Sequence, residues 1–185
     1  MRASLAAAAL VLLTSSPGLA VDPGMACQGR KLRATGKAGR ALIGCAARGW
    51  DSSVPVRCDS AAGEKLERTF ARADGGQCLT VGDGPEIRDR VESFASTVAS
   101  SVPASQPRPS PCVGAKLAAS AAKFLTVTTA HVRDKRRPDA ARLATALGRA
   151  EAAFLAAYDA ANALGDCVVS DETEKASESN RVDIW

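Results

Sequence analysis

Apolar residues recur every three or four positions through most of the chain, which is the spacing of one face of an α-helix. No stretch shows the strict alternation of a strand, so the pattern predicts an all-α fold of about five helices. The three clearest stripes are Ile87, Val91, Phe94, Val98 and Val102 in the third helix, Leu117, Ala121, Phe124, Leu125, Thr128 and Val132 in the fourth, and Leu143, Leu147, Ala150, Phe154, Tyr158, Ala161 and Leu164 in the fifth.

Capping and breaking residues predict where these helices begin and end. The first helix should start with Asp22 as N-cap and run to about Arg48, and the second should span roughly Pro55 to Asp74 before a glycine pair. Asp83 and Glu86 have the spacing of a capping box for the third helix. After Cys167 the apolar period ends, and residues 170–185 are expected to form an acidic, flexible tail.

The chain contains two diverged copies of one unit. The segment from Cys27 to Ala34 aligns with the segment from Cys112 to Ala119, with identical Cys, Gly, Lys, Leu and Ala residues. Cys78 likewise has a counterpart in Cys167. The predicted organisation is therefore a first stapled helical unit over 21–102, a Pro/Ser linker over 103–111 and a second, diverged unit over 112–169.

The first copy has four cysteines and the second keeps only the outer two, which predicts the pairing because bridged cysteines tend to be lost together. The resulting disulfides are Cys27–Cys78, Cys45–Cys58 and Cys112–Cys167. A bridge within the first helix is excluded, because 18 residues of helix separate its cysteines by about 27 Å, whereas bridged Cα atoms lie within about 7 Å. Both units become antiparallel hairpins, bent near residues 52 and 139, where turn formers cluster.

Residues 1–20 have the pattern of a secretory signal peptide, with Arg2, an apolar run and small residues before the expected cleavage site after Ala20. Together with the disulfides, this predicts a secreted or periplasmic protein. The remainder has no apolar run of membrane-spanning length, so no transmembrane segment is expected. None of the cysteines has the close paired spacing of a zinc site, so no metal or other cofactor is predicted.

The first helix carries a cationic stripe, in a chain with a formal net charge of +4 and no acid between Cys27 and Arg48. At 100° per residue its members fall within an arc of about 80°; they are Arg30, Arg33, Lys37, Arg40 and Arg48. We call this set the basic face. It either binds an anionic partner or is an ordinary solvated surface, part of whose positive charge is neutralised by the acidic tail.

Catalytic patterns are missing from the sequence. His131 is the only histidine, and no motif of a nucleophile with its base, a metalloprotease or a phosphate-binding loop appears. Lys31 and Lys116, each one turn after the first cysteine of its copy, are expected to cover the disulfides structurally. We therefore predict that the chain is not an enzyme.

Several strings resemble a cysteine-containing helical-hairpin repeat of secreted bacterial proteins. They are Cys27-x3-Lys31-Leu32-x-Ala34-x-Gly36-Lys37, Cys58, and Phe70 to Ala73 followed by Gly75-Gly76-Gln77-Cys78. The resemblance extends from about Cys27 to Val102, and the second copy departs from it by lacking the inner cysteines. It implies stapled helical hairpins, often in tandem, and no particular activity.

The sequence therefore favours a non-enzymatic extracytoplasmic module that binds or spaces components of the envelope or extracellular space. The alternative is a binder of anionic polymer or lipid, such as lipopolysaccharide, through the basic face. The expected partner is an extracytoplasmic protein or an anionic surface, and nucleic acid is not expected.

Overall fold

The structure, a computed structural model, describes residues 22–50, 60–101, 106–167, 175–177, 179–180 and 182. Within these residues it is all-α, with no strand, which confirms the predicted fold class. The helices are α1 (Pro23–Trp50), α2 (Ser60–Asp74), α3 (Gly84–Ser100), α4 (Pro111–Arg136) and α5 (Ala140–Asn162). None of these helices is long and apolar enough to cross a membrane.

The centre of the bundle is the antiparallel contact between α1 and α4. It is close because α1 presents glycines to the bulky side chains of α4. A Cβ atom at Gly39 would lie 2.3 Å from the Phe124 ring, and one at Gly36 would lie 2.1 Å from Thr128 Oγ1. Phe124 in turn stacks on Phe94 of α3, with ring centroids 5.0 Å apart.

Both predicted units contribute to one hydrophobic core. Its largest cluster joins α1, α2 and α3 to α4, and its fully buried members include Ile43, Leu66, Val91, Val98 and Phe124. A smaller cluster between α4 and α5 contains Ala119, Phe154 and Tyr158. The two hairpins therefore pack as one bundle.

Two disulfides lie at opposite ends of this bundle. Cys27 and Cys78 are bonded with Cα atoms 5.3 Å apart, and Cys112 and Cys167 with Cα atoms 5.6 Å apart. These are the two outer pairs that the repeat predicts. Cys45 is also disulfide-bonded, but its predicted partner Cys58 lies outside the described residues.

Side chains cap three of the helices. The carboxylate of Asp22 accepts from Met25 N at the start of α1, as predicted, and that of Asp139 accepts from Arg142 N at the start of α5. Ser110 Oγ accepts from Val113 N and donates to Asp166, which lies beside the second disulfide.

The predicted capping box of α3 does not form. Asp83 occupies the N-cap position, but its side chain makes no capping hydrogen bond. Its carboxylate instead accepts from Lys31 and Thr80, because a charge-assisted bond to an ammonium is stronger than one to a backbone amide. Glu86 pairs with Arg90.

The expectation of a flexible tail is wrong for the part of residues 170–185 that the structure describes. Residues 175–177, 179–180 and 182 are helical, and Lys175, Ser179 and Val182 are buried. Val182 belongs to the main core cluster. Polar groups on α4 and α5 hold the segment: Lys175 pairs with Asp159, and Ser179 donates to Glu151 and accepts from Lys123. The acids of the tail lie outside the described residues.

Other predicted features also lie outside the described residues, namely the signal peptide over 1–20, the first bend, and residues 103–105 of the linker. The described part of the linker is packed against both hairpins. Gln106 donates to Asp166 O, and Ser110 N donates to Trp50 O. The second bend lies at Arg137 to Asp139, where it was predicted.

Candidate functional site

All five members of the basic face are exposed on one side of α1. From Arg30 to Arg48 the face extends about 27 Å along the helix. None of the five forms an ion pair with any carboxylate that the structure describes. The first helix therefore presents a positive surface that no carboxylate of the described residues neutralises.

A groove between α1 and α2 adjoins this face, with a volume of about 400 Å³. We call it the α1–α2 groove. Its cations come from both helices and are Arg30, Arg33, Lys37, Lys65 and Arg72. The other residues that line it are small or apolar, without a carboxylate: Ala34, Ala38, Ala41, Ala62, Leu66, Thr69 and Ala73.

The α1–α2 groove is polarised along its length. Because the Cys27–Cys78 disulfide joins α1 to the segment that follows α2, Arg30 of α1 and Arg72 of α2 both lie toward the disulfide end. The opposite end is lined by Ala41 and Ala62, and Lys37 and Lys65 line the groove about one helical turn before it. From Arg30 to Ala41 the helix rises about 16 Å. The guanidinium groups of Arg30 and Arg72 thus lie at one end, and only the last turn at the other end is lined by alanines alone.

A second groove, of about 680 Å³, lies between α1 and α4 on the other side of the basic face. It takes Lys37, Arg40 and Arg48 from α1, whereas α4 contributes small and apolar residues such as Gly114 and Ala118. Its cations therefore lie on one wall only, so it can contact an anion from one side but cannot enclose it.

Lys31 belongs to α1 but is turned inward, with a side chain 6% exposed. Its ammonium lies 2.5 Å from Asp74 Oδ1 and 2.5 Å from Asp83 Oδ1, and it donates to Thr80 O at 2.8 Å. The Phe70 ring lies beneath it at 5.1 Å. The group ties α1 to the end of α2 and the start of α3.

Burial alone would lower the pKa of Lys31, but the hydrogen bonds and charges of Asp74 and Asp83 raise it above its usual value. Lys31 in turn lowers the pKa of Asp74, with help from the Gly82 N–H. Burial raises the pKa of Asp83, and the bonds from Lys31 and Thr80 lower it by more. An ammonium held in this way stays protonated, so Lys31 is not suited to act as a base or a nucleophile.

The second hairpin buries two further lysines. Lys116 lies 4.6 Å from the Tyr158 ring, rather than against Phe154, the residue that the repeat alignment pairs with Phe70. Lys123 bonds to Glu151 and to Ser179 and lies 5.2 Å from the Phe154 ring. With Lys175, four lysines are buried among the described residues. Lys31 and Lys116 therefore occupy structural positions, as expected.

The other candidate residues, His131 and Trp50, are not part of any catalytic or metal-binding group that the described residues form. His131 is half-buried near the end of α4, and in the described part of the chain no group of His, Cys, Asp or Glu side chains is arranged to hold a metal ion. Trp50 closes the end of α1, where Arg108 lies 4.0 Å over its ring.

Sequence reasoning found the basic face but missed the cations of α2. Lys65 and Arg72 are interspersed with Glu64, Glu67 and Asp74 in the sequence, so α2 shows no obvious stripe. Their spacing of seven residues, two helical turns, was the available signal.

Comparisons of this chain with protein-family models, with curated proteins and with solved structures found no match.

Proposed function

We propose that this chain is a non-enzymatic extracytoplasmic module that binds anionic lipid, such as lipopolysaccharide, through the basic face and the groove beside it. The observation that carries the proposal is the set of exposed cations on α1 and α2 with no carboxylate partner among the described residues. The two described disulfides are stable in an oxidising compartment, which supports a place in the periplasm or outside the cell.

Lipid is favoured over a purely polar polymer because apolar groups accompany the cations. Leu79 and Val81 follow Cys78 and are 68% and 69% exposed. They lie at the same end of the bundle as Arg30, since Cys78 is bonded to Cys27. Exposed apolar side chains beside cations are typical of surfaces that contact the interface of an anionic membrane.

The test is co-sedimentation of the oxidised protein with vesicles of phosphatidylglycerol and phosphatidylcholine, compared with phosphatidylcholine alone. We expect binding to the anionic vesicles only, and a steep loss as salt is raised from about 0.05 M to about 0.5 M, because added ions screen exposed charges. Each cation near an anionic surface contributes about 1 kcal/mol. Lys37→Glu should therefore weaken partitioning by roughly tenfold or more.

Arg149→Glu is the matched control, since Arg149 is exposed on α5 and has no ion pair with a described residue. It should change binding little. Val81→Ser distinguishes binding to anionic lipid from binding to a polar polyanion. It should weaken binding to vesicles and leave binding to heparin, a polyanion without lipid, unchanged. Equal loss in Lys37→Glu and Arg149→Glu would contradict the proposal, as would salt-insensitive capture of one defined protein without vesicle binding.

A further inference from the structure

The α1–α2 groove is concave and has cations on both walls, which binding to a flat anionic surface does not require. A flat charged surface is sufficient for electrostatic binding, yet here cations from two helices face each other across a trough of about 400 Å³. A volume of this size lies within the range of small-molecule sites. The groove therefore has the dimensions to hold one small ligand.

The order of residues along the groove indicates what kind of ligand fits. Arg30 and Arg72 both line the disulfide end of the groove, and an arginine binds a phosphate or carboxylate through paired N–H groups. Beneath the exposed cations the floor is apolar, formed by the buried residues Ala38, Leu66 and Ala73. It ends at Ala41 and Ala62, about one turn beyond Lys37 and Lys65. A purely ionic ligand would leave this apolar end in water, and a neutral lipid would leave the arginines unpaired.

We infer that the α1–α2 groove binds a single-chain anionic amphiphile, with its phosphate or carboxylate head between Arg30 and Arg72 and its alkyl chain along the floor toward Ala41 and Ala62. The inference rests on the proposed function, because it specifies a ligand class for the same basic surface. It adds a saturable site of one molecule per chain to what would otherwise be contact with a surface.

Isothermal titration of the oxidised protein with alkyl phosphates below their micelle concentration tests the site. The series is inorganic phosphate, then butyl, octyl and dodecyl phosphate, and dodecanoate serves as the carboxylate head. We expect one site per protein chain. The affinity should rise about twofold or more for each methylene added to the alkyl chain, since burial of a methylene against an apolar surface favours binding. Dodecyl maltoside, which has the chain without the charge, should bind at least tenfold more weakly than dodecyl phosphate.

Two substitutions separate the head from the chain. Arg72→Gln should weaken every alkyl phosphate by a similar factor of roughly tenfold, because it removes one head contact. Ala62→Phe should fill the apolar end, weakening dodecyl phosphate tenfold or more while leaving butyl phosphate unchanged. Ala153→Phe, at an exposed alanine of α5, is the matched control and should leave all affinities unchanged. Ala41→Leu, also exposed, repeats the test if Ala62→Phe lowers stability.

The outcome distinguishes this inference from the proposed function. An affinity that does not depend on the length of the alkyl chain would overturn the groove as an amphiphile site. The same holds if Ala62→Phe and Ala41→Leu both bind dodecyl phosphate as tightly as the unmodified protein does. Vesicle binding sensitive to Lys37→Glu would then still stand. Loss of vesicle binding together with intact binding of dodecyl phosphate would overturn the proposed function alone.

Discussion

Replacing Gly39 by alanine tests the central packing of the bundle. The new methyl group would lie 2.3, 2.7 and 3.0 Å from three carbons of the Phe124 ring, well inside van der Waals contact. Phe124 is 1% exposed and stacks on Phe94, so the ring cannot turn aside without disturbing α3. Overpacking of this kind typically costs 1–3 kcal/mol or more. Alanine recovers about 1 kcal/mol through its helix propensity, which leaves a net loss of up to about 2 kcal/mol.

Gly44→Ala provides the control on the same helix, because no atom lies within 4 Å of the Cβ that it would add. That change should stabilise the protein by about 0.5–1 kcal/mol. Urea unfolding followed by far-ultraviolet circular dichroism, with the disulfides intact, measures both variants. If Gly39→Ala proved as stable as Gly44→Ala, the close α1–α4 contact would be refuted. If it is confirmed, Phe124→Leu should reduce the cost of Gly39→Ala, since the smaller side chain leaves room for the methyl group.

Three further predictions concern stability. Reduction and alkylation should lower the melting temperature markedly, because the described bridges span 51 and 55 residues and each contributes about 4 kcal/mol in the chain-entropy model; an unchanged melting temperature would refute the stapled fold. Lys31→Met should cost about 3 kcal/mol at pH 7 by leaving two carboxylates facing each other. The pKa values of Asp74 and Asp83 are lowered by folding, so this stabilisation is present above about pH 4 and disappears as the pH falls through the folded pKa values; the urea midpoints of the two proteins should converge as the pH is lowered below about pH 4. Val182→Asp should destabilise the fold by several kcal/mol by burying a charge, whereas a fully detached tail would tolerate it.

The hairpin register was predictable because cysteine positions carry long-range information. A disulfide fixes two distant residues within a few ångströms, so the repeat and the helix lengths together predicted the Cys27–Cys78 and Cys112–Cys167 ends and the second bend. Local signals also predicted the N-cap of α1 at Asp22. Each of these inferences needed only residues close in sequence or joined by sulfur.

The contact between α1 and α4 was not predictable by the same means. Its determinants are Gly36 and Gly39, which read in the sequence as weak points of a helix. Their role appears only when Phe124 and Thr128 are seen against them. The prediction for the tail failed for a similar reason: its composition is typical of disorder, but Val182, among the described residues, packs into the core. Composition averages over a segment, whereas docking can depend on one side chain.

The distribution of acids explains why some cations of this chain are structural and others remain available. Lys31 and Lys123 are buried beside Asp74, Asp83 and Glu151, so folding neutralises their charge. Cations of the α1–α2 groove have no such partner among the described residues, and their mutual repulsion opposes folding. An anion bound between them would relieve that repulsion and stabilise only the folded state, by about 2.7 kcal/mol at a ligand concentration one hundred times the dissociation constant. The described acids pair the buried lysines and leave these groove cations without a partner among the described residues, and this arrangement favours a ligand as the source of their counter-charge.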